Sequence, residues 1–385
     1  MKTVLISGGG IAGTALAALL GCRGFAPTVV ERAPGLRGGG QAVDVRGVAL
    51  EVAERLGVLE RARAHRTRMR GMTVLDGDGQ ELYRSTESTI SSGRLDSDDI
   101  ELLRDDLVRI LHDRATEGGG TERRGTEGRG ARFVFGDGVT ALDQDEDGVR
   151  VSFEHAEPRR YDLVVGADGL HSAVRRLAFG PEERYAHHLG MHLAIFSADN
   201  FLGLEDWQLW LRDGEAGYGV YPVRDNTELR ISFGFAGEPL PEGRRDPQSQ
   251  RAVVAERMAA LRWETPRLLK ALAEAPDVYC DTMTQIRMDR WSHGRVVLLG
   301  DAGYCASPLS GQGTSLALVG AHVLADALAD ALTRSDGDHR AAFTAYEERL
   351  RPFVELNQAL ATENPGGPAA EESVERAKNA ISLDG

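Results

Sequence analysis

Three glycine-bearing strings have the residue types and spacing to hold a phosphorylated cofactor. The first is Gly8-x-Gly10-x-x-Gly13. Glycines so placed let a backbone turn tightly and approach a pyrophosphate, which sits at the positive end of the helix that follows. Glu31 comes 18 residues after Gly13, where an acid can accept hydrogen bonds from an adenosine ribose. This signal says dinucleotide without saying which one. The second string is Gly166-Ala167-Asp168-Gly169, continuing Leu170-His171-Ser172-Ala173-Val174-Arg175. Taken singly, Asp168 reads as a helix cap or turn residue and Arg175 as a surface charge. The whole string is poorly explained that way. The third is Gly300-Asp301-Ala302-Gly303, followed by Pro308 and Gly311-Gln312-Gly313. Asp301 ends an apolar strand, the place where α/β sheets bind ligands, and its carboxylate suits sugar-like hydroxyls. Gly311 and Gly313 precede a long helix, so free N–H groups there can face an electron-rich ring oxygen.

These strings need strands and helices to position them. Thr3–Ser7 reads as a strand and Ile11 to about Arg23 as a helix. Thr28–Glu31 is a second short strand. Val48, Val52, Leu56 and Leu59 recur at helical spacing, which predicts one helix ending near Leu59–Arg63. Asp76-Gly77-Asp78-Gly79 and Asp145-Glu146-Asp147-Gly148 each mark a hairpin. Asp98–Ala115 is predicted as a helix carrying Leu102, Leu103, Leu107 and Leu111. Glu117–Gly130 holds no apolar residue and is expected to be a mobile surface loop. Tyr161–Gly166 and Arg295–Leu299 are apolar strands. Leu189–Phe235 is strand-like and aromatic. Ala252–Leu272 reads as helical with a break before Pro266. Helices are predicted over Gly313–Leu332, over His339–Ala361 with a bend at Pro352, and over Glu371–Ile381, the last two separated by a break at Pro365-Gly366-Gly367-Pro368. The alternation suggests an α/β domain with a mostly β insertion.

Composition narrows the function classes. The chain has 385 residues, 42% apolar and 27% charged, with a formal net charge of −14. That balance excludes a general nucleic-acid binder, which needs clustered positive charge. Cys22, Cys280 and Cys305 lie far apart with no C-x-x-C spacing, so neither a disulfide framework nor a zinc site is supported. No metal-ligand spacing occurs among the histidines either. A cytoplasmic location follows as the default. The uncharged stretch 3–22 after Lys2 has the look of a signal peptide, but Gly8–Gly10 interrupt it, and a strand, turn and helix fit better. No other uncharged apolar stretch approaches the ~20 residues of a membrane span. Gly313-Thr314-Ser315-Leu316-Ala317 is no nucleophile elbow, because the second glycine is missing.

With all three strings in this order, residues 1–360 resemble the FAD-dependent aromatic hydroxylases of the p-hydroxybenzoate hydroxylase type. Within them, Gly39-Gly40-Gln41-Ala42-Val43-Asp44 is similar to a loop of the tetracycline-inactivating and aromatic-polyketide monooxygenases. The resemblance implies an α/β fold: a Rossmann-like FAD-binding domain with an inserted, mostly antiparallel β substrate domain and a C-terminal helix. The expected ranges are 1–70, 96–175 and 281–340 for FAD, 71–95 and 176–280 for substrate, and 341–385 for C-terminal helices. It implies FAD, NADPH or NADH as co-substrate, and O2. Gly8, Gly10, Gly13, Glu31 and Arg32 would take the adenosine part. Asp44, Arg104 (of Arg104-Asp105-Asp106-Leu107) and Asp168 would also serve the FAD. Asp301 would hold the ribityl chain, and Pro308, Gly311 and Gly313 would lie beside the isoalloxazine. Arg37 would touch the nicotinamide cofactor and Gln208 the substrate. Two departures stand out: Gly303-Tyr304 replaces the usual Ala-His, and Thr314-Ser315 stands where Asn is common.

The implied reaction is hydroxylation of an aromatic or polyketide, tetracycline-like substrate through a flavin C4a-hydroperoxide, with the protein excluding water. No catalytic side chain and no metal are nominated. The aromatic middle segment, Tyr218 and Phe233 included, is expected to wall the pocket for a flat substrate. A monomer and a homodimer are both compatible. The alternatives are an FAD-binding reductase, a flavoprotein redox sensor without turnover, and a nicotinamide dehydrogenase that would leave Asp301 unexplained.

Overall fold

The computed structural model describes residues 1–117, 130–239, 246–333, 338–364 and 367–384. A six-stranded sheet has the order Ser292–His293, Val296–Leu298, Leu163–Gly166, Thr3–Ser7, Ala26–Glu31 and Arg132–Phe135. All its pairs are parallel except the Ser292–His293 edge. Its inner strands are apolar at their centres, with Val4, Leu5, Ile6, Val164 and Val165 fully buried, as a parallel sheet covered on both faces requires. The helix Ile11–Cys22 packs on it, between Gly313–Thr333 and Arg104–Thr116. Gly313–Ala331 is long and apolar enough to cross a bilayer, but it is mostly buried inside the protein.

The second sheet has seven strands in the order Tyr279–Ile286, Ala186–Asp199, Glu228–Ala236, Ala216–Val223, Gln208–Asp213, Met72–Leu75 and Glu81–Ser85. All pairs are antiparallel except Gln208–Asp213 with Met72–Leu75. Pro247–Met258 and Thr265–Glu274 cover one face, burying Val254, Met258, Leu268 and Leu272 against Phe196, Tyr218 and Phe233. The other face looks toward the six-stranded sheet. Together the two sheets make the Rossmann-like α/β fold with an antiparallel insertion.

Several predicted elements end elsewhere. The single helix read over 48–63 is two, Val48–Arg55 and Leu59–Ala64, because Gly57 turns the chain at φ +74°. The helix predicted from Asp98 begins only at Arg104. Ile100–Leu103 is a strand paired with Ala42–Val45, its four side chains buried in an all-apolar or hydrogen-bonded setting that leucine spacing alone does not reveal. The break in 252–272 falls at Ala259–Glu264, so that Pro266 sits in the first turn of the next helix, where its missing N–H is harmless. Residues 118–129 of the expected loop, and 365–366 of the expected break, lie outside the described residues.

The Gly303-Tyr304 departure is a packing matter. Tyr304 is fully buried, and its hydroxyl accepts a 2.9 Å hydrogen bond from Tyr346. A Cβ on Gly320 would lie 2.1 Å from that Tyr304 hydroxyl.

Candidate active site

The three strings converge at the C-terminal ends of neighbouring parallel strands. Gly8 has φ +108°, and a Cβ there would stand 2.3 Å from the Ala167 carbonyl, so the first string abuts the second. A Cβ on Gly13 would stand 2.0 Å from the Gly8 carbonyl, which fixes how closely the first helix sits on its turn. Arg175 is not the surface charge its type suggests. It is fully buried, and donates to the Ala302 carbonyl at 2.9 Å, tying the second string to the third. Burial pulls its pKa down, against the opposing charge of Glu182.

A cavity of about 1460 Å³ opens along this junction and continues to the free face of the seven-stranded sheet. Gly8, Gly10, Glu31, Arg32, Arg37, Asp44, Arg104, Asp168, Asp301, Pro308, Gly311 and Gly313 all line it, whereas Gly13 lies behind the turn. Glu31 accepts hydrogen bonds from the Gly9 amide at 2.8 Å, the Ala33 amide at 2.9 Å and Arg37 at 3.2 Å. Burial pushes its carboxyl up, but the Ala33 and Gly9 amides and Arg37 outweigh that and hold it below the usual range. Asp168 accepts from Ser172, from the Ala173 amide at 2.9 Å and from the Val174 amide at 3.1 Å. It therefore caps the helix Ala173–Phe179 while facing the cavity. Burial raises the pKa of Asp168, and likewise of Asp301, where Cys305 and Arg104 act in the opposite sense. Arg104 begins its helix, and its amide donates to the Gln41 carbonyl at 3.1 Å. Burial and the neighbouring Arg37 lower its pKa.

Asp44 stands directly opposite Glu101 across the two-stranded ribbon. Both are buried, and Arg46 donates to Asp44 at 2.9 Å. Burial pushes the Asp44 carboxyl up to about 7 despite Arg46, and Glu101 is raised by burial too. The Asp44 Oδ1 has no hydrogen-bond partner among the described residues. The adjoining loop is stitched to the seven-stranded sheet: Tyr221 accepts from the Ala42 amide at 2.9 Å, and Arg230 donates to the Gly40 carbonyl at 3.0 Å.

These features fit an FAD. The first helix has no side-chain cap and no acid in its first turn, so its amides are left for an anion at Gly10. Asp44 keeps a buried oxygen without a partner, and side chains at Gly8 or Gly13 would close the turn.

On the substrate side the expectations fare unevenly. Tyr218 and Phe233 are paired across neighbouring strands and both rings are buried on the helix-covered face. Tyr218 bonds Thr265 at 3.2 Å and stacks on Trp263. Phe233 does not line the cavity, since successive strand residues point to opposite faces, whereas Tyr218 is among its lining residues although its ring packs toward Thr265 and Trp263. Gln208 has the right parity but is fully buried. Its Nε2 donates to the Ser91 hydroxyl at 2.6 Å, and its Oε1 accepts from the Trp210 Nε1 at 2.9 Å. Other residues of this sheet that line the cavity include Trp210, Arg212, Gly217, Tyr221, Ser232 and Gly234, with Leu193 and Ile195. Trp210 was findable, two residues after Gln208 and so on the same face.

The family comparison agrees with this geometry. The sequence family described as "FAD binding domain" matches residues 1–360. The chain is 49% identical over 385 residues to uncharacterized protein Rv1260 of Mycobacterium tuberculosis, covering 100% of this chain and 99% of that one. It is 37% identical over 359 residues to a flavin-dependent monooxygenase of an unknown prokaryotic organism, covering 93% and 88%. The crystal structure of tetracycline destructase Tet(55) superposes with a TM-score of 0.85 at 34% identity, covering 100% and 99%. The chain belongs to the FAD-binding-domain family of flavin-dependent monooxygenases. It is an FAD-dependent oxidoreductase of the aromatic-hydroxylase type.

Proposed function

We propose that this protein is a monooxygenase that uses NADPH or NADH and O2 to hydroxylate an aromatic or polyketide ring, with tetracycline-like molecules among its candidates. The single observation that carries this reading is the continuity of the cavity, which runs from the glycine turn at Gly8 to the open sheet face at Trp210. A nucleotide site alone would need only the first half. The similarity to tetracycline destructases supports the substrate class.

In this reading Gly8 and Gly10 leave room for the pyrophosphate at the helix N-terminus, with Gly13 packing behind them. Glu31 and Arg32 take the adenosine end, with Asp44, Arg104 and Asp168 along the cofactor. Asp301 accepts from the ribityl hydroxyls. Pro308, Gly311 and Gly313 would border the ring, with the helix N-terminus at Gly313 offering amide donors to it. Arg37 meets the nicotinamide cofactor. When bound, FAD supplies the redox chemistry that activates O2. The chain excludes water and orients the substrate; no side chain is assigned as acid or base. The ranges 1–70, 96–175 and 281–340 would serve the cofactor, 71–95 and 176–280 the substrate, with 341–385 packing as helices.

The visible spectrum of the purified protein, followed by anaerobic NADPH addition with and without a tetracycline, tests this. Flavin bands that bleach faster with the compound are the expected result. Equal slow bleaching would remove that substrate but keep the flavoprotein. A colourless protein that takes up no FAD would overturn the reading.

A further inference from the structure

The free face of the seven-stranded sheet carries an anomaly at Gly234. A glycine inside a strand weakens it, and usually marks a bulge, a close packing contact or a close-approaching ligand. Gly217 and Gly219 have packing reasons: a Cβ would stand 2.6 Å from the Leu211 carbonyl in the first case and 2.5 Å from the Trp210 ring in the second. Gly234 has none. Its φ is not positive, it pairs regularly with Leu193 and Gly217, and a Cβ there would meet nothing nearer than 3.9 Å. That empty space belongs to the cavity.

Around it the cavity-facing positions form a low floor. Leu193 pairs with Gly234, Ile195 with Ser232, Gly217 with Gly234, and Gly219 with Ser232. Over these two rows the two adjacent strands present only Gly and Ser between the strand of Leu193 and the strand of Trp210, with Tyr221 and Ala236 lining the cavity beyond the rows at either end. At roughly 4.8 Å per strand, three spacings make the span about 14 Å. Leu193 and Ile195 bound it on one side. Trp210 bounds the Gly219–Ser232 row on the other side, its indole lying across Gly219 and its strand position paired with Val74, and Arg212 stands at the end of the Gly217–Gly234 row. The indole is not free to swing: Gln208 holds its N–H and is itself held by Ser91.

We propose that this floor is the substrate site, that Gly234 is the specificity-determining position which keeps it flat, and that Trp210 is its stacking wall. The ligand class is a planar fused-ring aromatic. Gln208 is a positioning residue that acts through Trp210. This rests on the monooxygenase reading and deepens it, by preferring flat fused rings over the puckered tetracycline skeleton.

The test is equilibrium binding of 1,8-dihydroxyanthraquinone to the FAD-loaded protein, followed by the ligand's absorbance, with tetracycline as comparator. Gly234→Val fills the floor. It should weaken anthraquinone binding by at least about tenfold while the melting temperature holds or rises, since a β-branched residue suits a strand. Trp210→Leu should weaken it roughly tenfold, and Trp210→Phe no more than about threefold, in line with the usual worth of aromatic stacking. Gln208→Leu should cost several-fold, and adding it to Trp210→Leu should cost nothing further, which a merely structural role would not produce. FAD retention should be unchanged in all. The proposal is overturned if the wild type binds no anthraquinone, if tetracycline binds as tightly or more tightly, or if both Gly234→Val and Trp210→Leu bind within twofold of wild type. NADPH oxidation separates the two failures. A protein that oxidises NADPH but ignores flat ligands loses this site and keeps the function; one that binds them without turnover keeps the site and loses the function.

Discussion

On one face of the seven-stranded sheet, Phe196, Tyr218, Phe233 and Phe235 are buried beneath two helices. On the other, Ser232, Gly234, Gly217 and Trp210 face a cavity. The residues alternate along the same strands, so neighbours in sequence serve opposite ends. The helix-covered face is packed for stability, with aromatic rings edge to face at 5.2 Å and 5.7 Å. The cavity face gives up side chains for space. Most of the sheet's aromatic rings therefore mark the packed face, while Trp210 and Tyr221 line the cavity.

The contrast can be broken most severely at Phe233. Phe233→Ala should cost about 3–5 kcal/mol, as truncation of a fully buried phenylalanine does. Chemical denaturation measures it. A variant of unchanged stability would mean that the two faces have been assigned the wrong way round. Tyr218→Phe is gentler. It removes the hydroxyl bonded to Thr265 and should cost about 1 kcal/mol, with no effect on ligand affinity.

His171 sharpens the contrast at the sheet edge, where it bridges Glu182 at 2.8 Å and Asp281 at 2.9 Å. Those hydrogen bonds, Asp281 first, lift its pKa to about 9. A folded pKa above the unfolded value of about 6.5 means stabilisation that is full below that pH and lost as pH rises through 9. His171→Gln should therefore lower the melting temperature at pH 6 and leave it nearly unchanged at pH 10. The site is half exposed, so the loss stays under about 1 kcal/mol. Smallest of all, Ser232→Ala beside Phe233 should change stability by less than about 0.5 kcal/mol. A large loss there, seen in the same denaturation assay, would show the floor to be structural.

Much of the cavity's glycine-turn half was legible because its signals are local. Gly8 and Gly13 must be glycine for backbone reasons that a strand and a helix on either side make readable, whereas Gly10 has an ordinary φ of −77° and leaves the helix N-terminus bare. Asp301 could be read as a strand-end acid, and the structure brings it to the same cavity. The substrate half resisted because it depends on register. Choosing Tyr218 and Phe233 meant choosing a face, and the sequence shows alternation without saying which side a helix will cover. Gln208 and Arg175 were obscured for a related reason. Each polar side chain is spent on partners far away in the chain, Ser91 and Ala302, which no spacing rule connects. The strand Ile100–Leu103 was hidden because four buried residues in a row suit a helix as well as a ribbon.

Tyr304 and Gly320 sit on different helices, yet neither can drift alone. With Tyr304 present, any side chain at 320 would start 2.1 Å from its hydroxyl oxygen. Placing even an alanine at 320 would require the Tyr304 ring, buried and bonded to Tyr346, to give way. Tyr304 is thus one half of a pair of positions whose sizes are coupled. Its other half is a glycine in the middle of a long helix, which intrinsic preference alone would have removed.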